Sequence, residues 1–402
     1  MYCKAPHNSL VIQPSGHINI CCGSQRSWNV GHISDIEDLY ELWNTAPDII
    51  KLRNDDEQLI EDLCGYCLKN ARNGMSNTWT FYNVPGHGAR SYAKADGKIR
   101  YLEFTTSNLC NQTCATCSSY YSSKWLPLEK EATEMSLDLE SWKKPGDVGF
   151  NDFDVPTYRM SDTDVEKIIP LLPDLEVLVV KGGEPFADNK NYHILKSLLE
   201  VNDKCVIEMT TNLSKLPQRY LDLFADKPNS FQLSISMDGV GKTYDWVRST
   251  PFEQTLENIE RWNAVMRQGN RRYHNQININ HRINIFNLFN VEDTLNFWND
   301  NFEKYKITSF TQMGWVKRPD YSAVPSMMPQ EWIKEFADSI KIPENLHPEI
   351  YLNNMAFFEP AEEVGALDFL TWRQRMFMFA CFMNYKRGIN ILELHPELKQ
   401  LK

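Results

Sequence analysis

Between residues 98 and 318, short runs rich in β-branched residues alternate with runs of helical periodicity. Such alternation is typical of βα units, in which parallel strands are joined by helices. The strands predicted from these runs are Ile99–Thr106, Glu176–Lys181, Cys205–Thr211, Phe231–Asp238, Gln276–Asn284 and Lys306–Met313. Helices predicted between them include Asp162–Leu172, Tyr192–Val201 and Phe252–Met266. The middle of the chain is therefore predicted to be an α/β fold with a parallel sheet.

Several of these predicted strands have one polar face. Ile277 and Ile279 alternate with Asn278 and Asn280, for example. A strand buried on both faces would read as a nearly continuous apolar run. A polar face is instead expected in a barrel whose interior is hydrated or holds a ligand. The pattern predicts a barrel with a polar substrate inside it.

Residues outside this region differ in pattern. Residues 1–90 contain five cysteines and a helical run, Ile33–Leu52, which Pro47 interrupts, so they are predicted to form a small domain organised by metal. Residues 98–318 form the predicted barrel, and 325–402 a helical C-terminal extension. Residues 120–160 are charged and poorly periodic, as in a lid or a locally disordered loop.

The overall composition excludes some classes of protein. The 402 residues carry 42 basic and 53 acidic side chains, a net charge of -11, which argues against a broad nucleic-acid-binding surface. No apolar run is long enough to span a membrane, and no secretory signal pattern is visible. A cytoplasmic protein without nucleic-acid or membrane partners is expected.

Eight of the ten cysteines lie within the first 117 residues. In a cytoplasmic protein, tight groups of cysteines indicate metal sites rather than disulfides. One group, Cys110-x3-Cys114-x2-Cys117, directly follows the first predicted strand of the barrel. Three thiolates can hold three irons of a cubane, leaving one iron without a cysteine ligand, whereas iron–sulfur clusters commonly take four. A zinc knuckle is the alternative, although structural zinc favours paired C-x2-C motifs.

This cysteine group resembles that of the radical S-adenosylmethionine (SAM) superfamily, in which C-x3-C-x2-C follows the first strand of a partial (β/α)6 TIM-like barrel. The resemblance covers about residues 98–318 and implies several SAM-binding positions. The element after the second strand is similar to the family's GGEP motif, which holds the SAM amino group: Gly182, Gly183, Glu184 and Pro185. Ser236, Asp238 and Arg248 match the fourth-strand pattern that contacts the ribose and the methionyl carboxylate. Asn212 is a looser match at the end of the third strand.

The resemblance also implies a reaction. One 4Fe-4S cluster, held by three cysteines, would cleave SAM reductively, and the resulting 5′-deoxyadenosyl radical would abstract a hydrogen atom from the substrate. An electron donor such as flavodoxin or ferredoxin is expected. Thr116 stands where the family usually has an aromatic residue that packs on the adenine, which puts that one contact in doubt. The resemblance assigns no catalytic side chain.

The N-terminal cysteines resemble the first half of the SPASM and twitch domains, which hold auxiliary clusters in many radical SAM enzymes. The pattern is Cys3-x12-Gly16-x4-Cys21 followed by Cys64-x2-Cys67, and a predicted hairpin over residues 11–20 would bring Cys3 close to Cys21. The resemblance implies an auxiliary 4Fe-4S cluster with four cysteine ligands, acting as an electron relay. Cys22 could replace Cys21, and structural zinc is the competing occupant.

The sequence therefore predicts a radical SAM enzyme, an oxidoreductase or a peptide- or sugar-modifying enzyme. The expected outcome is oxidation, epimerisation or cross-linking of a carbohydrate-type small molecule or a peptide. The alternative is a non-catalytic zinc-binding scaffold protein. Lys181 is expected to pair with Glu103 or Glu208, or else to bind an anionic group of the substrate.

Overall fold

The computed structural model describes residues 3–23, 28–72, 78–85, 89–137, 158–267, 275–315, 341 and 366–400. The chain divides into two compact units. The first comprises Met1–Leu109, Pro145–Thr210 and Gln218–Gln232, and the second comprises Cys110–Lys144, Thr211–Pro217 and Leu233–Lys402. The boundaries predicted from the sequence for three domains stay a prediction.

The described strands and helices follow the alternation expected from the sequence. In chain order the strands are β1 (Ser9–Ile12), β2 (Ile18–Asn19), β3 (Tyr101–Phe104), β4 (Val177–Val180), β5 (Val206–Thr211), β6 (Phe231–Ser236), β7 (Asn275–Ile283) and β8 (Ser309–Trp315). The helices are α1 (Ala5–Asn8), α2 (Leu39–Thr45), α3 (Pro47–Arg53), α4 (Glu57–Arg72), α5 (Thr78–Asn83), α6 (Trp125–Glu134), α7 (Asp162–Glu166), α8 (Asn189–Val201), α9 (Gln218–Phe224), α10 (Gly241–Arg248), α11 (Phe252–Met266), α12 (Val291–Asn301), α13 (Ala366–Arg387) and α14 (Ile391–Leu394).

The strands of the first unit run in the order β2-β1-β3-β4-β5. β1 and β2 form the antiparallel hairpin predicted from the sequence, with Val11 opposite Asn19. β1 also pairs in parallel with β3, with Leu10 opposite Leu102, a pairing that the sequence did not predict. β3, β4 and β5 continue as parallel neighbours. The N-terminal segment therefore extends the sheet instead of folding apart from it.

The strands of the second unit run in the order β6-β7-β8, and β7 and β8 are parallel. Along β7, buried residues alternate with residues that are at least partly exposed, and β5 and β6 show the same alternation. In β6 and β7 every partly exposed position is polar, as predicted from the sequence, whereas in β5 the partly exposed positions include Val206. As described, neither run of strands closes on itself, as expected for an α/β fold with a partial barrel.

Local sequence explains where the N-terminal helices begin and end. The carboxylate of Asp38 accepts hydrogen bonds from the backbone amides of Tyr40 and Glu41, which caps α2. Pro47 is the first residue of α3, where its missing N–H costs nothing, and so the predicted run splits into two helices at this position.

Two sequence predictions fall partly outside the described residues. Within the predicted lid, the structure describes 120–137, which include α6, and 158–160, and it leaves out 138–157. Within the predicted C-terminal extension it describes Lys341 and 366–400. No helix in the described ranges is both long and apolar enough to cross a membrane.

Candidate metal centres

Four cysteines of the first unit line one pocket: Cys3, Cys21, Cys64 and Cys67. Cys3 precedes α1 and Cys21 follows β2, and both pack against the same buried cluster of side chains. Cys64 and Cys67 lie three residues apart on α4, a spacing that puts two side chains on one helix face. The hairpin between Cys3 and Cys21 needs Gly16, because its φ is +81° and a Cβ there would lie 2.3 Å from Nε2 of His32. Local structure thus gathers the four predicted ligands.

The structure distinguishes Cys21 from its neighbour. Cys22 is exposed and is not among the residues that line the pocket. Its Sγ instead accepts a hydrogen bond of 3.4 Å from Nη1 of Arg90. This geometry favours Cys21 as the fourth ligand.

Burial makes these thiols hard to ionise. It raises the pKa of Cys64 to about 12, with a further contribution from the nearby Cys3 and Cys67 thiols. The pKa values of Cys3 and Cys67 are raised mainly by burial as well. Thiolate is the form that binds metal, and four thiolates that line one pocket need positive charge among them. The donor set therefore fits a cationic metal centre in this pocket.

A single zinc ion and a cubane place different demands on the positions of the four sulfurs. Within the described ranges, no three His, Cys, Asp or Glu side chains are placed to share one metal ion. Tetrahedral zinc would require four sulfurs about 2.3 Å from one point. In a cubane each cysteine binds a different iron, so the sulfurs lie farther apart.

The second unit carries the predicted three-cysteine loop. Cys110 and Cys114 are buried and Cys117 is partly exposed. The loop is held by the end of α10 and the residues after it. The amide of Ala115 donates to the carbonyl oxygen of Val247 at 2.8 Å, and the amide of Thr113 donates to Oγ of Ser249 at 2.8 Å.

Electrostatics show that the three thiols of this loop lie close together. Burial raises the pKa of Cys117 well above its usual value, and the nearby Cys114 and Cys110 raise it further. Donors also reach two of the sulfurs. Nη1 of Arg248 lies 3.3 Å from Sγ of Cys114, and Nδ2 of Asn212 lies 3.8 Å from Sγ of Cys110. The loop thus presents three neighbouring sulfurs with polar donors beside them.

Asp238 holds Arg248 in place. One of its carboxylate oxygens lies 2.9 Å from Nε of Arg248, and the other accepts from the backbone amide of Arg282 at 2.8 Å. Burial opposes the charge on Arg248, but Asp238 and Cys114 raise its pKa above the ordinary value. Asp238 therefore orients Arg248 toward Cys114, a role that the sequence reasoning did not assign to it.

The predicted GGEP element lies in the first unit, directly after β4. Gly182 has a φ of +79°, and a Cβ there would lie 1.9 Å from the Thr105 side chain. Gly183 has a φ of +46°, and a Cβ there would lie 2.3 Å from the carbonyl oxygen of Leu109. The amide of Glu184 donates to that same oxygen at 2.8 Å. Only glycine allows this approach to the residue that precedes Cys110.

The remaining predicted residues have clear local roles. The Glu184 side chain is buried and accepts a hydrogen bond from the amide of Phe186 at 3.2 Å. The carbonyl oxygen of Pro185 accepts from Nδ2 of Asn191 at 3.0 Å. Ser236 lies at a half-exposed position of β6. The second unit thus brings Asn212, Asp238 and Arg248 to the cysteine loop, whereas Gly182–Pro185 belong to the first unit.

Sequence reasoning missed part of a buried ionic network in the first unit. Oε1 of Glu103 lies 3.0 Å from Nζ of Lys181, the pairing expected from the sequence. The other oxygen lies 3.5 Å from Nη2 of Arg90 and accepts a 2.6 Å hydrogen bond from the hydroxyl of Tyr101. Burial opposes ionisation of Glu103, yet Lys181 and Arg90 hold its pKa below the usual value. The sequence of β3 did not indicate the contact between Glu103 and Arg90, because Arg90 lies outside the strand.

Comparison with known proteins supports the N-terminal site. Residues 3–68 match the family model described as SPASM, an iron-sulfur cluster-binding domain. This match contains all four cysteines of the pocket and confirms the predicted SPASM-like domain. Among curated proteins, none matches the chain.

Several solved structures match at low identity. Native anSMEcpe with bound AdoMet is 15% identical, with a TM-score of 0.34, over 70% of this chain and 60% of that one. SuiB of Streptococcus suis is 13% identical, with a TM-score of 0.39, over 75% of this chain and 59% of that one. SuiB bound to its precursor peptide SuiA is 12% identical, with a TM-score of 0.39, over 75% of this chain and 60% of that one. The chain thus spans about 60% of the length of these proteins.

Proposed function

We propose that the protein is a radical SAM enzyme with two 4Fe-4S clusters. The observation that carries this proposal is the pair of separate cysteine sites. One is a loop of three neighbouring thiols with donors aimed at their sulfurs, and the other is a four-cysteine pocket within a matched iron-sulfur cluster-binding domain. Three ligands at the first site leave room for a bound SAM, and four at the second do not.

In this proposal the three-cysteine loop, Cys110 to Cys117, holds the cluster that binds SAM. With SAM bound, this cluster would supply a 5′-deoxyadenosyl radical able to abstract a hydrogen atom from the substrate. Arg248 and Asn212 donate to the cysteine sulfurs and so stabilise negative charge at the loop. Asp238 keeps Arg248 in position. The glycines before Glu184 hold the GGEP element against Leu109. The resemblance to the radical SAM superfamily is what assigns this element to the SAM amino group.

The pocket of Cys3, Cys21, Cys64 and Cys67 is proposed to hold the auxiliary cluster. Because four cysteines would occupy all four irons, this centre is suited to electron transfer rather than to substrate binding. An acceptor of this kind supports net oxidation or cross-linking of the substrate. An external donor such as flavodoxin or ferredoxin would reduce the SAM-binding cluster.

A polar substrate fits the strand faces best. In the second unit, Ser234, Ser236, Asn278 and Asn280 occupy the half-exposed positions of β6 and β7. Hydroxyl and amide groups can bind a carbohydrate-type molecule or a peptide, and both classes belong to the proposal. Within the first unit, Lys181 is engaged by Glu103, so the separate expectation that it binds a substrate anion has less support.

Metal content tests the two-cluster assignment. After anaerobic reconstitution, about eight irons and eight sulfides per chain are expected, since each cubane holds four of each. The triple variant Cys110→Ala, Cys114→Ala, Cys117→Ala should retain about four. Zinc that reconstitution does not displace, with little sulfide, would instead favour the zinc scaffold.

Deuterium transfer tests the chemistry. With SAM and a reductant, deuterated sugars and deuterated peptides would each be assayed for label in 5′-deoxyadenosine. Label transferred from the sugars or from the peptides identifies the class of substrate. A protein with two intact clusters that forms no deoxyadenosine under any condition would refute the catalytic proposal.

A further inference from the structure

One tyrosine that lines the N-terminal cysteine pocket has a buried hydroxyl without a partner in the described part of the chain. Tyr82 lines the pocket and is 0% exposed. Its hydroxyl forms no hydrogen bond within the described part of the chain. A buried O–H without an acceptor is costly, so native proteins almost always satisfy such groups. The missing acceptor is therefore expected to be something that binds in the pocket.

The same helix, α5, supplies donors to two of the cysteines. The backbone amides of Trp79 and Thr78 hydrogen-bond Cys67. Nδ2 of Asn83 lies 3.6 Å from Sγ of Cys3. α5 begins at Thr78, ten residues beyond the last residue of the SPASM match, Leu68. The wall of the pocket thus extends past the matched domain.

We infer that α5 completes the auxiliary iron–sulfur site and that the Tyr82 hydroxyl donates a hydrogen bond to the bound cluster. The inference rests on the auxiliary cluster proposed above. Cluster sulfides are acceptors, and the pocket around Tyr82 is lined largely by apolar side chains and cysteines. A donor to a sulfur favours the reduced cluster, which carries more negative charge, and so raises the reduction potential. Tyr82 is a positioning and tuning residue for electron transfer, not a catalytic one.

Tyr101 provides a matched control. It is also fully buried, belongs to the same buried cluster, and its ring centroid lies 5.3 Å from that of Tyr82. Its hydroxyl, however, donates to Glu103 at 2.6 Å and so already has an acceptor. Tyr82→Phe and Tyr101→Phe each delete one buried hydroxyl from neighbouring rings, but only the first removes a donor that lacks a protein partner.

The experiment uses the full chain with Cys110, Cys114 and Cys117 changed to Ala, so that only the auxiliary cluster contributes. Its midpoint potential is measured by titration followed by electron paramagnetic resonance. Tyr82→Phe should lower the reduction equilibrium constant roughly tenfold, about 59 mV for a one-electron couple. Tyr101→Phe should leave the potential close to that of the parent.

A second readout can already overturn the inference in the parent protein, whether or not the variant folds. In the reduced parent protein, pulsed resonance should detect a proton coupled to the cluster that exchanges in D2O, and Tyr82→Phe should remove this coupling. An intact cluster with no such proton, or a Tyr82→Phe potential equal to the parent's, would overturn the role of Tyr82 but leave the auxiliary cluster standing. A background protein with zinc and no cluster would overturn the auxiliary cluster itself.

Discussion

The close approach of Gly183 to Leu109 makes a quantitative prediction about the cysteine loop. A Cβ at Gly183 would lie 2.3 Å from the Leu109 carbonyl oxygen, about 1 Å closer than ordinary van der Waals contact. Gly183→Ala adds the strain of the left-handed conformation, about 1–2 kcal/mol, to an overpacking cost of about 1–3 kcal/mol. The expected total is about 2–5 kcal/mol. Relief requires the Leu109 backbone to move, and Cys110 must move with it.

Gly241→Ala is the control, because it introduces the same backbone strain without the steric clash. Its φ of +53° is close to the +46° of Gly183, but nothing lies within 4 Å of a Cβ built there. Gly241→Ala should therefore cost only about 1–2 kcal/mol. The effect of alanine on the unfolded chain is common to both variants and cancels in the comparison.

The assay combines urea unfolding with iron content after reconstitution. Gly183→Ala should unfold at lower urea than Gly241→Ala and should lose iron toward about four per chain, whereas Gly241→Ala keeps about eight. Equal midpoints and equal iron contents in the two variants would refute the reasoning. They would show that the chain accommodates the added methyl group without displacing the cysteine loop.

Other perturbations probe individual contacts. Cys21→Ser should reduce the iron content by about four per chain while Cys22→Ser keeps it, because only Cys21 lines the pocket; the reverse result would exchange the two assignments. Glu103→Gln should destabilise the protein by about 3–5 kcal/mol near pH 7, measured by urea unfolding, because it leaves Lys181 and Arg90 without their shared anion. The folded pKa of Glu103 lies below its ordinary value of 4.5, so the stability that its ionisation contributes is present above pH 4.5 and is lost as the pH falls through the folded pKa. The unfolding free energy of Glu103→Gln should lack this pH-dependent contribution. Asp238→Asn releases Arg248 from its ion pair and should lower the iron content of the three-cysteine loop in the reconstituted protein. An unchanged iron content would show that the loop does not depend on the ion pair between Asp238 and Arg248.

Much of the fold could be predicted because its signals are local. Each predicted strand of the barrel region appears in the structure with its ends within about three residues of the predicted ones, and Pro47 divides the N-terminal helical run as expected. The parallel pairing of β1 with β3 was not predicted. Ser9–Ile12 is a four-residue run, too short for periodicity to distinguish strand from helix, and its partner lies 92 residues away at Tyr101.

The candidate sites were predictable to a similar degree. Cysteine spacing predicted both candidate metal sites, since the identity and separation of the cysteines can be read from the sequence. The contacts that tune them were not, because each joins distant segments. That Arg248 and Asp238 contact SAM stays a prediction, and the sequence did not indicate their ion pair or the approach of Arg248 to Cys114. Arg90 and Tyr82 lie outside any motif, and only the folded chain brings them to the cysteines.

The pairing of β1 with β3 bears on how the N-terminal site is supported. Small metal domains often unfold without their metal, because the bound ion provides most of the folding free energy. Here Leu10, Val11 and Ile12 are at most 3% exposed, and the parallel pairing with β3 gives them a sheet that does not depend on metal. Cys3 and Cys21 flank this hairpin, whereas Cys64 and Cys67 lie on α4. The sheet therefore positions Cys3 and Cys21, two of the four proposed ligands, before any cluster binds. The same sheet continues through β3, and Cys110 follows the end of this strand six residues later in the sequence.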